Sequence, residues 1–122
     1  MSKKEWTEQE IFDTAAFGIL TQGRRCADSE GSCVYRLPGG LKCAAGFIFS
    51  DEEVEGMSDR NSNSVIYERA THLLEYDCLI SELQHIHDQV EVARWPEELR
   101  EMAKREGLSS KVIDDWEREN EV

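Results

Sequence analysis

The chain has 122 residues, 39% hydrophobic and 33% charged, with 26 acidic against 14 basic side chains and a formal net charge of -12. That length bounds one domain, residues 1–122, large enough to bury a core. The charge argues against a broad basic face for nucleic acid or an anionic membrane, and no apolar run approaches the roughly 20 residues of a membrane helix.

At the start, Lys3 and Lys4 form a basic pair with no apolar stretch after it, so no signal peptide is expected. A cytoplasmic location with reduced cysteines follows as an expectation.

Thr7-Glu8-Gln9-Glu10 matches a capping box, in which hydroxyl and carboxylate satisfy each other's free N–H groups. Ile11, Phe12, Ala15, Ala16, Ile19 and Leu20 recur at helical spacing, and Gly23 suits the stop. The spacing predicts a first helix over 8–22. Gly18 inside it is a weak point, or a place of close approach.

Residues 23–49 form a glycine- and cysteine-rich insert, with three of the four cysteines and five of the eight glycines. Its Arg24, Arg25, Arg36 and Lys42 outnumber Asp28 and Glu30, against the acidity of the rest. Cys33-Val34-Tyr35-Arg36 has the content of a short strand, and Leu37-Pro38-Gly39-Gly40 that of a turn. Leu41 to Phe49 reads either as a second strand, completing a β-hairpin, or as a buried helical turn starting near Lys42. The hairpin is the favoured expectation.

Ser50-Asp51-Glu52-Glu53 is another capping box, opening a short acidic helix that stops at Gly56. Two helical runs follow, Val65 to Tyr76 and Leu79 to Val90, with a break at Tyr76-Asp77 and Asp77 as cap. Leu79, Leu83, Ile86 and Val90 share one face. Pro96 suits a helix start, with Glu97 and Glu98 in its first turn. Leu99, Met102 and Ala103 point inward, and Gly107-Leu108 fits a Schellman ending. Ser109 or Ser110 caps a last helix carrying Val112, Ile113 and Trp116. The expected fold is mostly α (α+β): about five helices around one core, with a small β-hairpin between the first and second.

Cys26, Cys33 and Cys43 lack the CxxC spacing of zinc knuckles, and on a helix His85 and His87 point to different sides. A zinc-stabilised module stays a minor alternative, beside the reading of these cysteines as small buried apolar residues. Cys43 as nucleophile, with His87 or His85 as base and Asp88 as orienter, follows triad logic, and Lys42 would favour the thiolate. Arg36, Gly39, Gly40 and Lys42 could hold a small anion on backbone N–H groups, although the phosphate-loop spacings are missing. Ala103 to Glu117 has a helix-turn-helix pattern. Asp114, Asp115, Glu117 and Glu119 on its second helix would repel DNA, so no direct nucleic-acid binding is expected.

The run Cys33-Val34-Tyr35-Arg36, then Gly40-Leu41-Lys42-Cys43-Ala44-Ala45-Gly46, Asp51-Glu52-Glu53 and Glu55-Gly56, resembles a group of small uncharacterised bacteriophage and prophage proteins. Gln9-Glu10-Ile11-Phe12, Leu83-Gln84-x-Ile86-His87-Asp88 and Trp95-Pro96 fit the same pattern. The chain departs from it at Phe47-Ile48-Phe49-Ser50, where the pattern has a cysteine first and a proline before the acidic residues. The resemblance carries no residue roles. It implies a small phage protein that binds a host protein stoichiometrically, for takeover or against host defence. Sequestering a small anion and a cysteine-dependent hydrolase or transferase are the alternatives.

Overall fold

The computed structural model describes residues 6–23, 42–54, 66–68 and 70–120. Six α-helices are named among them: α1 Glu8–Gln22, α2 Ala44–Ile48, α3 Asp51–Val54, α4 Asp77–Gln89, α5 Trp95–Glu106 and α6 Lys111–Asn120. Two 3-10 turns, Thr71–Tyr76 and Val92–Arg94, lead into α4 and α5. None of these helices is long and apolar enough to cross a membrane.

The capping boxes form as their sequences dictate. Glu10 N–H donates to Thr7 Oγ1 and Thr7 N–H to Glu10 Oε1, both at 3.1 Å. Ser50 and Glu53 repeat this at 2.8 and 3.3 Å. Gly23 takes the left-handed conformation (φ 74°) and donates to Ile19 O at 2.8 Å, ending α1. Gly107 (φ 70°) ends α5, and Leu108 N–H donates to Ala103 O at 2.8 Å, which is the Schellman closure.

The expected hairpin is overturned. No strand occurs among the described residues, and the intended second strand is the helix α2. Ala44, Ala45, Gly46 and Ile48 are all buried, and Phe47 N–H donates to Cys43 O at 3.3 Å and Phe49 N–H to Ala45 O at 3.0 Å, the i to i-4 bonds of a helix. Cys43 is the N-cap, its sulfur accepting from Gly46 N–H at 3.3 Å. The expected first strand and turn, residues 33–40, lie outside the described residues.

Asp77 also departs from expectation. It is the first residue of α4 (φ -60°, ψ -39°) and not its cap. The discontinuity at Tyr76-Asp77 is a change from 3-10 to α geometry.

Helix α1 is the hub, packing on α2, α4, α5 and α6. Its apolar face meets Leu79, Ile80, Leu83 and Ile86 of α4 and Trp95, Leu99, Met102 and Ala103 of α5 in one cluster. Ile113 closes it from α6, with Val112 and Trp116 partly buried beside it.

Glutamines stitch the helices to distant backbone. Gln9 accepts from Ser109 N–H at 2.8 Å and donates to Ser109 O at 3.0 Å. Gln22 makes the same pair with Lys42, at 2.8 and 2.7 Å. Each clasp satisfies a main-chain group that no helix serves.

Candidate functional site

The sequence-predicted catalytic residues fall on two packed helices. Cys43 opens α2, and His87 and Asp88 end α4. Gln84, which the sequence did not mark, joins them. Ala45 N–H donates to Gln84 Oε1 at 2.9 Å, and Gln84 Nε2 donates to Asp88 Oδ1 at 2.8 Å. His87 Nδ1 lies 2.7 Å from the same Asp88 oxygen. A carboxylate oxygen only accepts, so the imidazole proton sits on Nδ1. The i, i+4 spacing of Gln84 and Asp88 was the available signal.

This is the geometry of a base held by its orienter, but it is sealed. His87 is 0% exposed, and its ring stacks on Trp95 with centroids 5.6 Å apart and planes 24° apart. Trp95, itself fully buried, donates from Nε1 to Val90 O at 3.1 Å. Cys43 is 1% exposed. The buried thiol caps α2, while the Gln84 bridge joins α2 to α4 and the His87 ring stacked on the Trp95 indole joins α4 to α5.

Of the anion-site residues only Lys42 is among those described. Arg36, Gly39 and Gly40 lie outside the described residues. Lys42 Nζ stands 5.5 Å from the centroid of the Phe47 ring, a cation–π distance.

His85 diverges from His87, as i, i+2 spacing requires. It is exposed and faces a groove of about 270 Å³ between α4 and α5, with Glu82, Ile86, Val90 and Arg105. No group of three His, Cys, Asp or Glu side chains able to hold a metal occurs among the described residues. Cys26 and Cys33 lie outside them.

Negative charge gathers where the 3-10 turn enters α4. Burial, then the hydrogen bond and charge of Glu75, then Glu8 and Glu10, push the Tyr76 hydroxyl above its ordinary value. That hydroxyl donates to Trp6 O at 2.6 Å. Two residues on, the charge of Asp77 leads, with its hydrogen bond, desolvation, Glu82 and Glu106, in raising the exposed Cys78 thiol. No lysine or arginine occurs between Arg69 and Arg94.

Arg94 and, on α5 and α6, Arg100, Arg105, Lys111 and Arg118 are engaged by carboxylates of the chain itself. Arg94 meets Glu98 at 2.9 Å, Arg105 meets Glu82 at 3.5 Å, and Lys111 meets Asp115 at 2.8 Å. Arg100 clasps Asp114 at 2.6 Å and also Glu117, which raises its own already high pKa. The helix-turn-helix-like pair is thus pinned by its own charges.

Compared with protein-family models, curated proteins and solved structures, the chain matches none.

Proposed function

We propose that the protein works without turnover, as a stoichiometric binder that presents an acidic helical surface to a basic surface of a host protein. The carrying observation is the carboxylate group around Tyr76 and Cys78: Glu8, Glu10, Glu75, Asp77, Glu82 and Glu106. No lysine or arginine occurs between Arg69 and Arg94, Arg105 meets Glu82 alone of the six, and Arg94, Arg100 and Lys111 are spent on other carboxylates. Such a field speeds encounter with a basic partner and repels nucleic acid. The phage or prophage setting, the host cytoplasm and a role in takeover or anti-defence belong to this reading through the sequence resemblance.

The alternative that uses Cys43 as a nucleophile gains no support from its setting, because its sulfur caps α2 and is shut from solvent. The anion-binding alternative likewise gains none from Lys42, whose ammonium lies against Phe47.

The test is capture of partners from bacterial lysate on immobilised protein, followed by titration calorimetry with the purified partner. The expected partner is basic, binds at a fixed ratio, and loses affinity as salt rises. Replacing Glu8 and Glu75 by lysine should weaken it. Capture that is indifferent to salt and to both charge reversals, or no specific capture at low salt, overturns the reading.

A further inference from the structure

The groove between α4 and α5 lies next to that acidic surface, and its chemistry is specific. Its apolar wall comes from Ile86 and the half-buried Val90. Its polar edge carries Glu82, Glu98 and Arg105. Glu98 is already met by Arg94. Glu82 is not fully served. Its Oε1 is 3.5 Å from the Arg105 guanidinium, and its Oε2 is buried with no hydrogen-bond partner among the described residues. The Glu82 side chain is 42% exposed and its one ion pair is long, so it keeps acceptor capacity at the edge of the groove.

We propose that this groove seats one lysine or arginine side chain of a basic protein partner, with the cationic head at Glu82 and the aliphatic stem along Ile86 and Val90. The inference rests on the acidic-surface reading above and names its anchoring point. Long cationic side chains bury their methylenes on apolar surface while the head stays at a polar edge, and this groove offers both parts in that order. The surroundings fit the charge: Glu82 and its neighbours Asp77 and Glu106 all bear on Cys78, at one end of α4. Arg105 is more than half exposed, so it can yield Glu82 to an incoming donor by turning into solvent.

The experiment is a titration of the isotopically labelled full chain with a short arginine-containing peptide and, separately, its lysine counterpart, followed by amide shifts at low salt. The expected result is shifts concentrated at Ser81, Glu82, His85, Ile86 and Val90, with saturation. Glu82→Gln should weaken binding on the order of tenfold, the scale of one charge-assisted hydrogen bond. Glu119→Gln, an exposed change on α6 outside the groove, should weaken it by less than about twofold. The spectrum of each free variant reports directly whether the fold is kept. Equal loss in both variants, or shifts spread evenly over the acidic surface, sinks the groove and leaves the broader reading standing. No binding of either peptide at low salt sinks both.

Discussion

The ring of Phe47 lies flat against Gly18: a Cβ placed on that glycine would stand 2.6 Å from Phe47 Cγ and under 3 Å from two further ring atoms. The residue that interrupts the helical preference of α1 is therefore where α2 comes close. Expectation from sequence allowed either a weak point or a close approach, and the close approach is made by a side chain.

Gly18→Ala tests this contact with opposed signs. On helix propensity alone alanine gains up to about 1 kcal/mol over glycine. Here the methyl must displace an aromatic ring, and overpacking costs about 1–3 kcal/mol. Net destabilisation in urea unfolding is expected, relieved by adding Phe47→Leu. A more stable single variant would show that the ring does not rest there.

The elements legible in the sequence were those whose partners are close along the chain. Both capping boxes, the left-handed Gly23 and the Gly107-Leu108 closure each involve residues within five positions, so residue type and spacing sufficed. The clasps by Gln9, Gln22 and Gln84 reach over 100, 20 and 39 positions, and a glutamine gives no local hint of which backbone group it will meet. The misread element, α2, has five residues, too few for periodicity to outweigh the strand- and turn-like residues 33–40 before it. Four of its five residues are buried, so no polar face marks a helical period there. The candidate triad was half legible: His87 and Asp88 do pair, while the stack with Trp95 that seals His87 depends on the packing of α5.

Gln84→Ala should cut α2 from α4. Ala45 is buried, and its N–H would lose the Gln84 acceptor, at a cost of about 1–3 kcal/mol. Asp88 would lose one donor at the same time, which loosens the hold on His87. Gln89→Ala, an exposed change on the same helix, serves as control and should stay within about 0.5 kcal/mol. Equal unfolding midpoints for the two variants would show that the Gln84 bridge contributes nothing.

Acid should loosen the start of α6 before the core. The hydrogen bond from Lys111 first, then the charges of Lys111 and Arg118, hold the Asp115 carboxyl below its ordinary value of 3.8. A lowered folded value means that this stabilisation is complete above the ordinary value and is lost as pH falls through the lower, folded one. Amide shifts of Lys111 to Arg118 should therefore hold steady near neutrality and move below about pH 4. Asp115→Asn should remove that part of the acid response. A titration that is the same with and without Asp115 would refute the assignment.

Cys78 and Cys43 should behave as opposites toward a thiol reagent. Cys78 is exposed, yet the charge of Asp77 foremost, with Glu82 and Glu106, raises its pKa and leaves less thiolate near pH 8. Since the thiolate is the reacting species, Cys78 should alkylate more slowly than free cysteine. Asp77→Asn should speed it about threefold, and added salt should act in the same direction by screening. Cys43 is shut from solvent, so its labelling should follow urea-induced opening and not thiolate content. Peptide mapping of alkylation against time separates the two sites. Fast labelling of Cys43 in the native protein, with a rate that rises with pH as a free thiol's does, would mean that α2 opens readily. That result would restore Cys43 as a nucleophile and count against the non-catalytic reading.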